Sequence, residues 1–127
     1  MLPVIIVTHG DLASSLIKTS RIIVGKQEEV FAVELKEGDS IEELGKRMRE
    51  FLNVNEEAII LTDLFGASPT NASAALLREH PNVEIVTGVN LPMLLDLLMD
   101  RSASCRDIAK RIKERGKESI VNIREKL

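Results

Sequence analysis

Short apolar runs alternate with amphipathic segments along the whole 127-residue chain. The first run, Val4-Ile5-Ile6-Val7, is rich in β-branched residues and predicts a strand that is covered on both faces. Comparable runs predict further strands at Val30–Leu35, Ala58–Leu61 and Val83–Thr87. A last, short strand is predicted at Ser119–Ile123.

The segments between these runs carry apolar residues at helical spacing. Helix-capping residues mark three starts: Asp11, Ser40 followed by Glu43, and Ser104 followed by Asp107. The predicted helices run from Asp11 to a terminating Gly25, from Ser40 through Phe51, from Pro69 to about Glu79, from Leu91 to Met99 and from Ser104 to a terminating Gly116. This alternation predicts an α/β fold, in which a mainly parallel open sheet of about four strands carries helices on both faces.

The composition narrows the class of protein. With 44% apolar and 29% charged residues, residues 1–127 are expected to form one soluble domain with its own core. An aromatic content of 2%, without Trp or Tyr, disfavours nucleic-acid binding through base stacking. One cysteine and two histidines cannot build a Cys/His zinc site, so no structural metal is expected. No apolar run approaches about 18 residues and no signal peptide is recognisable, so the expected location is cytoplasmic.

The net charge of −3 is unevenly distributed. The first 100 residues hold 8 Lys and Arg against 16 Asp and Glu, whereas residues 101–127 hold 9 against 4. A basic helix of this kind is usually a solvated face, and that interpretation is preferred to docking on an acidic partner.

A histidine follows the first strand, in the sequence Thr8-His9-Gly10. This places His9 at the carboxyl end of a strand and beside the start of a helix. Ligands of open α/β sheets bind at this edge, where helix starts offer N–H groups to anions. An isolated histidine in this position can also be a mere polar turn residue, so its interpretation depends on the rest of the chain.

A carboxylate, Asp63, follows the third strand. If the two strands are neighbours, His9 and Asp63 meet at one edge of the sheet. A carboxylate that accepts a hydrogen bond from one imidazole nitrogen leaves the other nitrogen as a nucleophile. The following residues, 66–68, could supply N–H groups and a hydroxyl to a phosphoryl group. Taken alone, Asp63 could equally cap a loop.

Other chemistries lack their motifs. The chain contains no G-x-x-x-x-G-K-[ST], G-x-G-x-x-G or G-x-S-x-G sequence, which disfavours nucleotide binding and serine hydrolysis. The second histidine, His80, precedes Pro81 at a predicted helix end. We expect it to cap carbonyl groups and to face the solvent.

Four motifs, in order, resemble the mannose-type enzyme IIA components of the bacterial phosphoenolpyruvate-dependent sugar phosphotransferase system (PTS). They are Thr8-His9-Gly10, Gly38-Asp39-Ser40, the run from Asp63 to Ala72 and the run from Thr87 to Leu94. The resemblance covers nearly the whole chain. The family often has a second glycine where this chain has Ala67, and often an aromatic residue at the position of Thr70.

The resemblance implies a phosphocarrier that uses no cofactor, neither a metal nor a nucleotide. His9 would accept a phosphoryl group from the histidine-containing phosphocarrier protein and pass it to a IIB component, while Asp63 orients the ring. The candidate phosphate-binding residues are Gly10, Ser40, Leu64, Phe65, Gly66, Ala67 and Ser68. Because the chain ends at Leu127, the IIB component is expected on a separate chain. Contact with the membrane would be only indirect, through IIC and IID proteins, and the membrane component would select the sugar.

Two alternatives remain open on the sequence. One is the related phosphocarrier that feeds a dihydroxyacetone kinase. The other is a regulatory protein whose phosphorylation at His9 is recognised by a binding partner without sugar transport. Phosphoryl transfer to a candidate IIB protein would distinguish sugar transport from both.

A homodimer is expected for two reasons. The predicted helix Leu91–Met99 is so apolar that one sheet face cannot cover all of it, and a two-fold partner is the commonest cover. The family resemblance also implies dimers in which a late strand crosses to the neighbouring subunit, and Ser119–Ile123 occupies the matching place.

Overall fold

The computed structural model describes all 127 residues and contains one four-stranded parallel sheet. The strands are β1 (Val4–His9), β2 (Val30–Leu35), β3 (Ala58–Thr62) and β4 (Val83–Val86), in the spatial order β2-β1-β3-β4. Every pair of neighbouring strands is parallel, as the alternation of strands and helices predicted. The strand that carries His9 is therefore central, and the two edges of the sheet are β2 and β4.

Six α-helices connect and cover these strands. They are α1 (Leu12–Val24), α2 (Ile41–Arg49), α3 (Ser68–Ala75), α4 (Leu91–Met99), α5 (Cys105–Glu118) and the short α6 (Ile123–Lys126). A 3₁₀ turn, Leu76–Arg78, prolongs α3. None of the helices combines the length and the apolar character that a membrane crossing requires.

Alternate residues of β1 point into two separate apolar cores. Val4 and Ile6 pack with α1, α4 and α5 on one face, whereas Ile5 and Val7 pack with α2 and α3 on the other. Full burial of an aliphatic side chain of this size contributes about 1.5–3 kcal/mol to stability. Helices on both faces thus follow from the uninterrupted apolar run in β1, as predicted.

The carboxyl-terminal segment differs from the prediction. Residues 119–122 form no strand in the single chain, and Ile123 begins α6. A strand requires an edge with which to pair, which local β-propensity cannot supply. Ile120 and Ile123 remain 80% and 70% exposed.

Gly116 does not terminate α5, as the sequence suggested, but lies inside it. Its missing side chain allows α4 to approach closely, because a Cβ atom at this position would lie 2.9 Å from the Met93 methyl carbon. Asn90 joins the two helices, since its side-chain amide donates to the Gly116 carbonyl and its side-chain oxygen accepts from the Met93 N–H. The apolar α4 is therefore covered mainly within the chain, and among its leucine and methionine side chains only Met99, at 75%, is strongly exposed.

The expectation for His80 was wrong. Its side chain is only 5% exposed, and its Nδ1 atom is buried without a hydrogen-bond partner. The backbone N–H of His80 donates to the Leu76 carbonyl, which continues the tightened end of α3. Since β4 begins three residues later, the chain turns back toward the sheet here and takes the ring into the protein.

Two arginines of the basic carboxyl-terminal segment brace the fold. Arg111 donates to the Asp96 carboxylate at 2.7 Å and to the Asp100 carbonyl at 2.7 Å, where α4 ends. Arg101 donates to the carbonyls of Leu2 and Glu28. Part of the excess positive charge is thus engaged in neutralising the end of a helix and in joining loops.

Candidate functional site

His9 is the last residue of β1, and its side chain is 50% exposed. The chain turns at Gly10, whose φ of 54° lies in the left-handed region that glycine adopts without strain. The Gly10 N–H donates to the Leu35 carbonyl at 2.9 Å, which fixes the turn against the end of β2. The imidazole consequently stands at the carboxyl edge of the sheet, accessible from the solvent.

Asp63 lies beside His9, as the topology predicted. Because β1 pairs with β3, with Val7 opposite Thr62, the residues that follow both strands leave the sheet together. One carboxylate oxygen of Asp63, Oδ2, accepts hydrogen bonds from the His9 backbone N–H at 2.9 Å and from His9 Nδ1 at 2.8 Å. The Asp63 side chain is only 14% exposed, so a mostly buried carboxylate holds a half-exposed ring.

The contact determines which imidazole nitrogen is free. Burial opposes ionisation of Asp63, but the hydrogen bonds from His9 outweigh it, so the pKa of the carboxyl lies below its usual value. An ionised carboxylate only accepts hydrogen bonds, which places the ring proton on Nδ1. The Nε2 lone pair is then directed away from Asp63 and is available as a nucleophile.

The start of α1 beside His9 is capped by an unexpected residue. Asp11 occupies the N-cap position, but its side chain makes no capping hydrogen bond. The buried Thr8 hydroxyl instead accepts from the Ala13 N–H at 2.9 Å. A strand residue therefore satisfies one of the free N–H groups of the helix and ties α1 to the residue that precedes His9.

The loop after Asp63 offers unpaired backbone donors. The N–H groups of Leu64, Phe65 and Gly66 make no hydrogen bond within the chain. Gly66 has a φ of 81°, and Ala67 is the N-cap of α3. The helix begins at Ser68, one residue earlier than predicted. Free N–H groups at the start of a helix are a common arrangement for binding an anion.

The Gly38-Asp39-Ser40 motif builds the turn between β2 and α2. Asp39 accepts from the Lys36 N–H and from Arg47, both at 2.8 Å. Ser40 accepts from the Glu43 N–H at 3.1 Å, as its predicted capping role requires. No hydrogen bond joins this motif to His9, so the local geometry of Ser40 is that of a helix cap.

Two threonines close the loop that carries Asp63, and the sequence patterns did not reveal this contact. The hydroxyl oxygens of Thr62 and Thr70 lie 2.7 Å apart, and Thr70 also donates to the Leu64 carbonyl. In the sequence, Thr70 is distinguished only by the resembling family, which often has an aromatic residue there. The one feature of the sequence that could have indicated the contact is the presence of a threonine at each end of a short loop.

The site is an exposed edge, not an enclosed cavity. A cavity of about 680 Å³ lies away from it, at the amino ends of β3 and β4, and its lining includes Glu57, Glu84 and Arg106. No cluster of three or more His, Cys, Asp and Glu side chains is arranged to hold a metal ion. The edge around His9 suits contact with another macromolecule more than enclosure of a small substrate.

An open parallel sheet with an exposed histidine held by a carboxylate at its carboxyl edge defines an α/β protein suited to group transfer. Residues 3–113 match the family described as the fructose IIA component of the PTS. The chain belongs to this mannose-type EIIA family. It is accordingly a phosphotransferase component of the sugar PTS, as the sequence motifs implied, and components of this kind work with other PTS proteins.

Curated relatives and solved structures agree with this assignment. The chain is 32% identical to the fructose-specific EIIA component of Bacillus subtilis over 94% of its own length and 85% of the relative. It is 30% identical to the mannose-specific EIIAB component of Escherichia coli, of which it spans 40%. The EIIA structure from Streptococcus agalactiae superposes with a TM-score of 0.93 at 27% identity, over 98% of this chain and 99% of that one.

Proposed function

We propose that His9 is the residue through which this chain relays phosphoryl groups to a sugar transporter. The observation that supports this most directly is the 2.8 Å contact between His9 Nδ1 and Asp63, which leaves Nε2 free on an exposed edge. In this relay, the histidine-containing phosphocarrier protein is the donor and a IIB component is the acceptor.

The chemistry is a pair of in-line displacements at phosphorus. The Nε2 lone pair attacks the phosphorus of the donor's phosphohistidine, the new N–P bond forms, and the electrons of the breaking N–P bond return to the donor imidazole. The phosphorylated His9 ring keeps its proton on Nδ1, and the Asp63 carboxylate stabilises its positive charge. In the second step a histidine of the IIB component attacks, and His9 Nε2 becomes the leaving group.

The loop of residues 64–68 and the turn at Gly10 are proposed to bind the phosphoryl oxygens. Free N–H groups at Leu64, Phe65 and Gly66, the Ser68 hydroxyl and the start of α3 offer partial positive charge without a metal. Ala67 contributes its backbone to the same loop. Ser40 would take part through its hydroxyl proton, since its oxygen already caps α2.

Apolar side chains around His9 support docking of protein partners. Phe65 is 81% exposed, Leu64 is 59% exposed and Leu12, in the first turn of α1, is 43% exposed. Large apolar residues so close to a reactive histidine have no role in the core, and together they form a surface that another protein could cover. The donor and the acceptor would use this surface in turn, because both must reach Nε2.

The chain is also proposed to form a homodimer. The apolar surface of α4 provides less support than expected, because α5 covers most of it. The remaining support is the open edge of β4 together with the exposed residues Ile120, Val121 and Ile123. In a dimer, residues 119–123 of one subunit would pair with the sheet of the other.

Incubation with phosphoenolpyruvate, enzyme I and the phosphocarrier protein tests the relay. We expect a single phosphorylated residue, His9, and loss of the label when a IIB component is added. His9→Ala should abolish labelling, while the control His80→Gln, which alters the buried histidine, should retain it. Labelling that survives in His9→Ala would contradict the assignment.

The alternatives are distinguished by the acceptor. The match to sugar-specific EIIA relatives does not favour the dihydroxyacetone-kinase alternative. A regulatory role would leave His9 phosphorylated in the presence of every IIB component tested. Rapid discharge to one IIB component supports the transport role.

A further inference from the structure

We propose that Thr70 is a positioning residue, which holds the backbone on both sides of Asp63 and thereby aims the carboxylate at His9. This inference rests on the proposed phosphorelay, since it assigns a residue that serves the same site. Its basis is a chain of two hydrogen bonds that closes the loop between β3 and α3.

Thr70 contacts both neighbours of Asp63. Its Oγ1 atom lies 2.7 Å from the Thr62 hydroxyl, before Asp63, and 2.7 Å from the Leu64 carbonyl, after it. Thr62 is fully buried and Thr70 is 8% exposed, so water does not replace these bonds easily. A single hydroxyl therefore fixes the tripeptide that carries the carboxylate.

The direction of the two bonds follows from counting protons. A carbonyl only accepts, so the single proton of the Thr70 hydroxyl is donated to Leu64. Thr62 must then donate its own proton to Thr70 Oγ1. The Thr62 backbone carbonyl is occupied as well, because it accepts from the Val89 N–H at 3.0 Å. Thr62 is consequently fixed by both its backbone and its side chain.

The position of the Asp63 carboxylate depends on this backbone. Its Oδ2 atom is bonded only to His9, and its Oδ1 atom is buried without a hydrogen-bond partner. No third side chain holds the carboxylate from behind. The orientation of Asp63 is thus set by the backbone of residues 62–64, and Thr70 is the side chain that ties this backbone to α3.

Three substitutions separate the contributions. Thr70→Val keeps the side-chain shape but leaves the Thr62 hydroxyl without a partner. The Leu64 carbonyl then keeps only the long hydrogen bond from the Ala67 N–H, at 3.4 Å. Thr62→Val removes the donor to Thr70 and preserves the bond to Leu64. Thr70→Ser keeps the hydroxyl and should retain the wild-type behaviour. The expected order of impairment is Thr70→Val, then Thr62→Val, then Thr70→Ser.

Ser73→Ala is the matched control. Ser73 is also a buried hydroxyl of α3, and it donates to the Pro69 carbonyl at 2.7 Å. Its removal should lower stability by a similar mechanism, but this bond does not touch the residues that flank Asp63. A general weakening of α3 would therefore appear in both variants, whereas loss of positioning would appear only in Thr70→Val.

The first measurement is the ¹⁵N chemical shifts of the His9 ring in the unphosphorylated protein. We expect one dominant Nδ1–H tautomer in the wild type and in Ser73→Ala, and a mixture of tautomers in Thr70→Val. The second is the rate of phosphoryl transfer at a temperature where every variant is folded. Thr70→Val should slow transfer about tenfold, which is less than the loss on the order of 100-fold that a 1 Å displacement of a reacting group causes.

A double-variant comparison locates the effect. If Thr70 acts through Asp63, Thr70→Val should slow transfer in the wild type but hardly at all in Asp63→Asn. Equal slowing in both backgrounds, or wild-type His9 shifts in Thr70→Val, would overturn the positioning role. The ring shifts need no phosphoryl donor, so they test this inference even if His9 proves not to be the phosphorylated residue.

Discussion

A single carboxylate oxygen, Asp63 Oδ2, accepts hydrogen bonds from both the backbone N–H and the ring Nδ1 of His9. The backbone bond fixes the carboxylate relative to the strand end, and the ring bond fixes the imidazole relative to the carboxylate. Because β1 pairs with β3, Asp63 lies beside His9, and this double contact then fixes the orientation of the His9 ring. The site is therefore formed before any partner arrives.

Asp63→Asn should slow phosphoryl transfer while leaving the fold intact. The amide oxygen can replace Oδ2 as the acceptor, but the negative charge that we propose stabilises the phosphorylated His9 ring is lost. If the amide instead presents its NH₂ group to the ring, it favours the wrong tautomer. We expect a loss on the order of 100-fold, comparable with removal of one preorganised polar group from an active site.

Stopped-flow transfer from the phosphorylated carrier protein measures this effect, and circular dichroism verifies the fold. Asp11→Asn is a suitable control, because the Asp11 carboxylate lies at the neighbouring helix start but caps no N–H group. An unchanged rate in Asp63→Asn would exclude the orienting role.

The same contact predicts a dependence of stability on pH. The pKa of Asp63 is lowered from an ordinary value of 3.8, because the hydrogen bonds from His9 outweigh the cost of burial. A carboxyl group whose pKa is lower in the folded than in the unfolded protein stabilises the fold at pH values above the unfolded-state pKa. This contribution is lost as the pH falls through the folded-state pKa. The difference in free energy of unfolding between the wild type and Asp63→Asn should therefore decrease below about pH 4, the ordinary range of an aspartate pKa.

Urea unfolding at pH 5 and at pH 3 measures this difference. Because the His9 ring is half exposed, the effect should not exceed about 1 kcal/mol. A difference that grows toward pH 3 would have the wrong sign for an ionised Asp63.

The sheet and the meeting of His9 with Asp63 were predictable because they depend on short, regular patterns. Uninterrupted apolar runs indicate buried parallel strands, and residues that follow neighbouring strands share one edge. Ser40 and Ser104 were recognisable as helix caps for the same reason, since a cap is a local arrangement, and both accept the expected N–H.

The features that the sequence did not reveal depend on how the elements pack in three dimensions. Gly116 resembled a helix terminator, but it is required where Met93 packs against α5. His80 resembled an exposed cap, but the return of the chain to β4 buries it. The hydroxyl contact between Thr62 and Thr70 was invisible because it depends on how tightly the intervening loop closes. None of these properties is encoded by residue type and spacing alone.

Two glycines inside helices should respond differently to alanine. Alanine in a helix interior is favoured over glycine by about 1 kcal/mol. A Cβ atom at Gly45 would meet only the flexible end of Arg49, at 3.3 Å, whereas one at Gly116 would approach the buried Met93 methyl carbon to 2.9 Å. Overpacking of a core costs about 1–3 kcal/mol. Gly45→Ala should therefore stabilise the protein, and Gly116→Ala should leave it unchanged or less stable.

Thermal unfolding of both variants measures this contrast. Gly116→Ala combined with Met93→Ala should recover part of the helix-propensity gain relative to Met93→Ala alone, because the obstructing methyl group is gone. Equal stabilisation by the two single glycine substitutions would show that α4 and α5 are not packed as closely as described.

The proposed dimer makes the carboxyl-terminal residues essential for assembly. In the single chain, β4 is an edge strand of the sheet, and the strand-forming residues Ile120 and Val121 are exposed. An unpaired edge of this kind is a template for a strand from another molecule. Residues 119–122, which are irregular in the single chain, and Ile123, which begins α6, are expected to form a strand when they reach the sheet of a second subunit. Sedimentation at micromolar concentration should therefore show a dimer for the full chain and a monomer for a chain truncated before Lys117.

Val121→Asp, which places a charge in the exchanged segment, should weaken the dimer, whereas Lys126→Asp, beyond that segment, should not. A monomeric full-length chain would contradict the dimer itself, and a truncated chain that remains fully dimeric would contradict the exchange of this segment.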